Sequence, residues 1–295
     1  MARIGFIGLG NMGGPMAANL VKAGHQVDGY DLSSEAMRQA EAAGIALAES
    51  PTAAVGEAEV VVTMLPAGEH VRALYLGAEG LLAMTPKGSL LIDSSTIDVG
   101  SARTVHEAAA EAGQAFVDAP VSGGVAGAQQ ASLTFMCGGE AAAFGRAEPL
   151  LQQMGRNVIH AGGAGNGQAA KVCNNMILGI SMLGVCEAFA LAEKLGLDDQ
   201  ALFDISSKSS GSCWAMVNHL PVPGIVEGSA ANRDYQPGFA AALMLKDLRL
   251  SQEAANQVGA ATPLGAEATA LFGLFCNAGK GGLDYSAIIK MIKGA

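Results

Sequence analysis

The feature that most constrains this chain lies within its first thirty-one residues. Arg3-Ile4-Gly5-Phe6-Ile7 runs straight into Gly8-Leu9-Gly10-Asn11-Met12-Gly13, and Met12, Met16, Ala17, Leu20 and Ala23 then recur at helical spacing until Gly24. This spacing predicts a strand, a tight turn and a helix. Each glycine has a physical reason: Gly8 makes the turn, Gly10 lets a pyrophosphate approach backbone, and Gly13 lets helix and strand pack closely. The helix start then presents free N–H groups to the phosphates. A second strand, Gln26 to Tyr30, ends in Asp31, about twenty residues beyond the glycines, where a carboxylate accepts both ribose hydroxyls of NAD and repels a 2'-phosphate. Gly8, Leu9, Gly10, Asn11, Met12, Gly13 and Asp31 are therefore expected to bind NAD. Asp31 also suits a cap for the helix starting near Ser33 or Ser34, and capping does not prevent ribose binding.

Strand and helix keep alternating after Asp31. A helix is expected from Ser34 to Ala43, then Ser50-Pro51 as cap and first-turn proline, then a strand from Val60 to Met64. Leu65-Pro66 ends that strand. Leu90 to Asp93 is the next and opens into Ser94-Ser95-Thr96; a helix from Val99 to Ala112 and a strand from Ala115 to Ala119 follow. Short, continuously apolar strands separated by helices describe a Rossmann domain, a doubly wound and mostly parallel sheet covered on both faces. Ligands of such sheets lie beyond the strands' carboxyl ends, so Leu65-Pro66, Thr96 and the loop after Pro120 should line one cleft. That loop, Val121-Ser122-Gly123-Gly124, suits a cup for a carboxylate as well as a plain flexible turn. A strand from Leu133 to Cys137, a helix from Glu140 to Met154 and a strand from Asn157 to His160 complete the first domain.

Gly162-Gly163-Ala164-Gly165-Asn166-Gly167 reads as the boundary, giving a dinucleotide domain over 1–163 and an all-helical domain over 164–295. The second domain opens with a helix from about Gln168 to Leu195, apolar nearly all round as expected of a long interdomain helix. Further helices are expected over Asp199 to Ser207, Ser212 to His219, Phe239 to Gln257, Leu264 to Ala278 and Tyr285 to Ile292. Pro221-Val222-Pro223-Gly224 is a rigid loop.

Composition narrows the partners. Charged residues are 15% of the 295, against roughly 25% in an ordinary soluble protein, so much of the surface is small, polar or covered by another subunit, and a homodimer or homotetramer is expected. A net charge of -10 with no basic run speaks against nucleic acid and against a basic membrane anchor. Met176 to Ala192 is the most apolar stretch, but Ser181 and Glu187 interrupt it and it is shorter than the roughly 20 residues of a span. Five cysteines without a Cys-x-x-Cys pair read as reduced thiols, and five scattered histidines predict no metal site. A chain whose first strand starts at Arg3 is expected to lack a leader and to be cytoplasmic.

The chemistry is expected in Gly167-Gln168-Ala169-Ala170-Lys171-Val172-Cys173-Asn174-Asn175. Lys171, Asn174 and Asn175 stand at i, i+3 and i+4, so an ammonium and an amide share a helix face, with Gly167 leaving space one turn earlier. When an alcohol carbon gives up hydride, a positioned base must take the hydroxyl proton, and a lysine held among Val172, Met176 and Leu178 suits that task. By residue type alone, Lys171 also suits a solvated helix position.

With these residues in view, the chain resembles the 3-hydroxyisobutyrate dehydrogenase family of beta-hydroxyacid dehydrogenases over nearly its whole length. Phe6-Ile7-Gly8-Leu9-Gly10-Asn11-Met12-Gly13-Gly14-Pro15-Met16-Ala17-Ala18-Asn19-Leu20 is similar to the family's cofactor motif, and Asp118-Ala119-Pro120-Val121-Ser122-Gly123-Gly124 to its substrate motif. Gly167 to Asn175 is similar to its catalytic motif, and Lys246-Asp247-Leu248 to the motif that closes over the cofactor. The resemblance implies Lys171 as the catalytic acid/base with Asn175 orienting substrate beside it, and Asn174 next to the substrate. Ser122, Gly123 and Gly124 would hold the substrate carboxylate. Leu65, Pro66, Thr96 and Lys246 would touch NAD, and Trp214, Phe239 and Asp247 would wall the pocket. Residue type alone also places Trp214 and Phe239 in a core. The resemblance implies oxidation of 3-hydroxyisobutyrate to methylmalonate semialdehyde in valine degradation. Alternatives within the family are L-serine, tartronate semialdehyde, glyoxylate or succinic semialdehyde, or a non-catalytic NAD sensor on the same fold. His219 stands where a serine-acting relative would carry tyrosine.

Overall fold

A computed structural model describes residues 1–77 and 79–294. It consists of two compact units, Met1–Lys171 and Val172–Ala295. The sequence places the boundary at residues 163 and 164, in the glycine run just ahead of the helix Asn166–Leu195, which passes from the first unit into the second.

The first unit reads β1 (Arg3–Ile7), α1 (Gly13–Lys22), β2 (Gln26–Tyr30), α2 (Ser34–Ala42), β3 (Ala46–Leu47), α3 (Pro51–Val55), β4 (Val60–Thr63), α4 (Gly68–Leu76), α5 (Leu81–Met84) and β5 (Leu90–Asp93). It continues through α6 (Val99–Glu111), β6 (Ala115–Asp118), β7 (Val121–Ser122), α7 (Gly124–Gln129), β8 (Leu133–Gly138), α8 (Ala141–Leu151) and β9 (Gly155–Gly162), and ends in the first turns of α9 (Asn166–Leu195). Among the described residues the strands form one nine-stranded sheet in the order β3-β2-β1-β4-β5-β6-β8-β7, with β9 on β8. Pairing is parallel from β3 to β6 and antiparallel from β6 to β8 and from β7 to β8. This is the expected doubly wound, mostly parallel sheet.

The period-2 alternation of side chains explains why the strands are apolar throughout. Ile4, Phe6, Val60, Val62, Leu90, Ile92 and Val117 point to one face, where Met16 and Leu20 of α1 and Leu151 of α8 cover them. Ile7, Val61, Leu91 and Phe116 point to the other, against Val71 and Tyr75 of α4 and Val105 of α6. The strand order reverses between β1 and β4, which places the glycine turn after β1, Leu65-Pro66 after β4 and Ser94-Ser95-Thr96 after β5 along one carboxyl edge.

Several short elements were not expected from sequence. β3, α4 and α5 are among them, each short. The stretch after Pro120, expected to be a loop, is instead β7 and α7: Val121 and Ser122 pair with Phe135 and Thr134 of β8, and Gly123 and Gly124, at φ +133° and +62°, turn the chain into α7. Two residues are too few to show alternation, so the strand could not be read from pattern. The helix expected over Glu140 to Met154 is shorter, Ala141–Leu151, and the strand after it longer.

The second unit holds the rest of α9 and then α10 (Asp199–Ser206), α11 (Trp214–His219), a 3-10 turn at Ala230–Arg233, α12 (Ala241–Val258), α13 (Pro263–Phe275), a π turn at Cys276–Lys280, a 3-10 turn at Tyr285–Ala287 and α14 (Ile288–Ile292). Helix α9 is long and apolar enough to cross a membrane by length and composition, yet Met182, Cys186 and Phe189 are packed in this unit's core with Met244, Leu248, Phe272 and Ile288. The bare Cα of Gly179 lets α12 come close: a Cβ there would meet Leu248 Cδ2 at 3.0 Å.

At the start of α1, a Cβ on Gly13 would lie 1.8 Å from the Gly8 carbonyl oxygen, whereas one on Gly10 would meet nothing within 4 Å. Gly13→Ala is therefore expected to destabilise the protein by about 3 kcal/mol, the upper range of overpacking, while Gly10→Ala leaves the urea midpoint nearly unchanged. Equal midpoints for the two variants would show that the turn relaxes around the added methyl.

Candidate active site

Gly8, at φ +94°, donates its N–H to the Tyr30 carbonyl at 2.9 Å and so ties the turn to the end of β2. Asp31 follows there. Its Oδ2 accepts from the Leu9 N–H and its Oδ1 from the Ser33 N–H, both at 2.7 Å. Each carboxylate oxygen keeps a further lone pair for a ribose hydroxyl. The Ser33 hydroxyl, not Asp31, caps α2 by accepting from Ala36 N. At α1 no side chain caps the start and the first turn carries no acid, so the N–H groups there remain suited to a phosphate. The open space over Gly10, the uncapped helix start and the carboxylate at β2 fit a dinucleotide; Asn11 is exposed beside them and Met12 half-buried.

The two loops further along the same edge are pinned by a buried carboxyl. Asp93 Oδ1 accepts from Thr63 Oγ1 at 2.7 Å and from Ser95 Oγ at 2.6 Å, and Ser95 Oγ accepts the Leu65 N–H at 2.7 Å. Tyr75 Oη extends this chain to Thr63 Oγ1 at 3.1 Å. Leu65 and the exposed Pro66, on the loop after β4, are thereby coupled to the Ser94-Ser95-Thr96 segment after β5. Gln168 grips that segment from the other side: its Nε2 donates to the Ser95 carbonyl at 2.7 Å and its Oε1 accepts the Ile97 N–H at 3.1 Å.

Lys171 is only 6% exposed, and its ammonium donates to the Val121 carbonyl at 2.8 Å. Ser122, Gly123 and Gly124 follow directly, on β7 and the turn into α7, so the first unit brings Lys171 together with the stretch expected to bind a carboxylate. In the second unit Asn175 is buried and held at both ends. Its Nδ2 donates to Asp247 Oδ2 at 2.5 Å and its Oδ1 accepts from Asn174 Nδ2 at 2.9 Å. Lys246 Nζ lies 3.5 Å from Asp247 Oδ1. Lys246-Asp247 is thus no solvated pair, because Asp247 is buried against Asn175.

Trp214 is 57% exposed and stacks on His219, with ring centroids 6.1 Å apart. Phe239 meets Tyr285 edge-on at 5.8 Å, and its N–H donates to Asp284 Oδ2 at 3.2 Å. His219 Nε2 is 2.7 Å from Asp284 Oδ1. Burial works to raise the Asp284 carboxyl, but the hydrogen bond and charge of His219 and the Ser286 hydroxyl and amide outweigh it and hold the group below the ordinary carboxylate range. This His219–Asp284 pair, the Asp93 network and the grip of Gln168 were not foreseen from sequence. Asp93 ending an apolar strand was the available signal; the partner of His219 lies 65 residues away and left none.

A Rossmann sheet with an uncapped glycine turn, an acid closing β2 and a buried lysine beyond its carboxyl edge defines the class of NAD-binding dehydrogenases. Residues 3–163 match the family model described as the NAD binding domain of 6-phosphogluconate dehydrogenase, and residues 165–292 that described as NAD-binding of NADP-dependent 3-hydroxyisobutyrate dehydrogenase. A probable 3-hydroxyisobutyrate dehydrogenase of Mycobacterium tuberculosis is 50% identical over 99% of this chain and 98% of its own. An NAD-dependent L-serine dehydrogenase of Pseudomonas aeruginosa is 48% identical over 99% of this chain and 98% of its own. The solved structure of Mycobacterium tuberculosis 3-hydroxyisobutyrate dehydrogenase with L-serine superposes with a TM-score of 0.95 at 50% identity, covering 99% of each chain. The chain belongs to the 3-hydroxyisobutyrate dehydrogenase family.

Burial pushes the Asp93 carboxyl up to about 6, despite the lowering effect of hydrogen bonds from Ser95 and Thr63. A carboxyl with a folded pKa above its unfolded one binds more protons when folded, so its contribution to stability is full at low pH and is lost as pH rises from 3.8 to about 6. At about 1.4 kcal/mol per pH unit the loss is about 3 kcal/mol. The stability of the protein relative to its Asp93→Asn variant should fall by that order between about pH 4 and 6.5, measured by urea unfolding. A gap independent of pH would show that Asp93 titrates as an ordinary carboxyl.

Proposed function

We propose that this enzyme oxidises the primary alcohol of 3-hydroxyisobutyrate to methylmalonate semialdehyde with NAD, in valine degradation, and that Lys171 is its acid/base. The observation that carries the proposal is the buried Lys171 ammonium, hydrogen-bonded to the Val121 carbonyl one residue before Ser122. A bound nicotinamide would supply the hydride acceptor for the alcohol carbon. Lys171 in its neutral amine form takes the hydroxyl proton as that carbon becomes a carbonyl, and the ammonium so formed returns it in the reverse reaction. The Val121 carbonyl keeps the side-chain nitrogen in place. Asn175, fixed by Asp247 and Asn174, orients the substrate hydroxyl from a side chain that no longer rotates freely. Ser122, Gly123 and Gly124 hold the substrate carboxylate through the hydroxyl and the N–H groups that the left-handed glycines turn outward.

In the first unit Gly8, Leu9, Gly10, Asn11, Met12 and Gly13 would hold the pyrophosphate and Leu65, Pro66 and Thr96 the rest of the cofactor; in the second, Lys246 would touch the cofactor and Trp214, Phe239 and Asp247 the substrate. Asp31 supports NAD over NADP, since its carboxylate already holds two N–H groups and would face a 2'-phosphate with like charge. The protein works as a homodimer or homotetramer in the cytoplasm; exposed Ile177, Leu191 and Leu195 on one face of α9 support the assembly.

L-serine is the second reading. It is favoured by the 48% identical relative named for it and by the L-serine in the similar solved structure. In this chain the His219 ring is engaged by Asp284 and stacked between Trp214 and Tyr285.

Steady-state reduction of NAD and NADP against both enantiomers of 3-hydroxyisobutyrate, L-serine, 3-hydroxypropionate, glycerate and 4-hydroxybutyrate separates the readings. A kcat/KM preference for 3-hydroxyisobutyrate with NAD is expected; preference for L-serine establishes the second reading. Lys171→Ala should lower kcat by roughly 100- to 10,000-fold, the range of a positioned acid/base, with NAD affinity unchanged. Near-normal turnover in that variant ends the assignment of Lys171.

A further inference from the structure

We propose that Asp118 is a positioning residue: its buried carboxylate clamps the start of α9 to the end of β6 and so sets where Lys171 sits. The inference rests on the reading of Lys171 as acid/base. Asp118 is fully buried as the last residue of β6. Its Oδ2 accepts the Gln168 N–H at 2.9 Å, and its Oδ1 accepts the Gly165 N–H at 3.0 Å and lies 2.7 Å from His106 Nε2. The two N–H groups flank and open a thirty-residue helix, and a carboxylate there meets the positive end of the helix dipole as well as donors that would otherwise go unpaired.

The backbone is shaped for this grip. A Cβ on Gly167 would lie 2.7 Å from Asp118 Oδ2 and 2.4 Å from the carbonyl oxygens of Asp118 and Met136; one on Gly138 would lie 2.5 Å from Asp118 Oδ1 and 2.6 Å from Gly167 N. Only side-chain-free positions allow the helix start to sit so closely against the ends of β6 and β8, where Asp118 and Gly138 are paired. Three residues after Asp118, the Val121 carbonyl accepts from Lys171 Nζ. Three residues after Gln168 comes Lys171 itself. The segment Asp118–Val121 therefore holds one end of α9 by a side chain and the ammonium one turn later by a carbonyl. A shift at the first contact moves the second. Asp118 is a positioning residue in this sense, since its carboxylate is spent on the N–H groups of α9 and on His106.

The clamp is tested with Asp118→Asn, which keeps the shape and removes the charge. The expected result is a fall in kcat of about 10- to 100-fold, as for a misplacement of about an ångström, with the NAD dissociation constant within about twofold and a larger primary isotope effect on kcat from substrate deuterated at the alcohol carbon. Introduced into Lys171→Ala, the same change should lower turnover by less than about twofold, since the residue acts through the lysine. Unchanged kcat in folded Asp118→Asn overturns the proposal while leaving Lys171 standing, and so do effects that multiply in the double variant. Near-normal turnover of Lys171→Ala alone removes the reading beneath it. If Asp118→Asn does not fold, His106→Gln, which loosens the carboxylate without touching α9, decides: a roughly threefold fall in kcat at constant NAD affinity supports the clamp, and an unchanged kcat overturns it.

Discussion

A carboxylate taken out of water must be met by donors or it becomes neutral, and the carboxyl edge of this sheet is organised around two of them. Asp93 and Asp118 end neighbouring parallel strands, β5 and β6, and are paired in register. Asp93 gathers hydroxyls, from Thr63 and Ser95, and is pushed up because hydroxyls compensate burial only in part. Asp118 instead accepts from backbone N–H groups at a helix start, and its Oδ1 also lies beside the His106 imidazole. The same edge of the sheet thus holds one carboxyl that fixes the loops after β4 and β5 and one that fixes the start of α9.

The glycines act by the opposite means, through what they leave out. Gly13 lets α1 rest on the Gly8 carbonyl, and Gly138 and Gly167 let α9 start against the paired ends of β6 and β8. In each case a helix start is brought against a strand end more closely than a methyl would permit. For α1 the exposed N–H groups then await an anion from outside; for α9 the anion is Asp118, supplied by the chain. Two helix starts of similar construction thus differ in where their anion comes from.

The parallel sheet was legible in sequence because both faces are covered: three-residue apolar runs such as Val60-Val61-Val62 and Leu90-Leu91-Ile92 have one physical reading when flanked by helical periods. The glycine turn was legible for its spacing, and Asp31 for its distance from it. Helix α4 was missed although Val71, Leu74 and Tyr75 stand at i, i+3 and i+4, because Glu69, His70 and Arg72 interrupt a nine-residue stretch; Val71 and Tyr75 are the residues it packs on the sheet. Strand β7 was missed because it exists only through pairing with β8. The hydrogen bonds of Gln168 to Ser95 and Ile97, about seventy residues away, lie beyond any local pattern.

At the candidate site, residue type alone left Lys171 suited to a solvated helix position, and motif resemblance was needed to give it a role together with Asn175 and Asp247. Burial gives the physical reason for the motif. A lysine at 6% exposure needs an acceptor and finds a backbone carbonyl; an asparagine buried beside it in sequence needs both ends met and finds Asp247, seventy-two residues on. An aspartate at 247 in turn requires a donor inside the second unit, and Asn175 supplies it, with the Lys246 ammonium at 3.5 Å on the other oxygen. Spacing of i and i+4 on α9 therefore puts an amine and an amide on one helix face, while each is held by residues of its own unit. A side chain anchored in this way presents its free lone pairs and hydrogens in one direction, which is the condition a short hydroxy acid imposes on a site that must act on one hydroxyl and leave its carboxylate untouched.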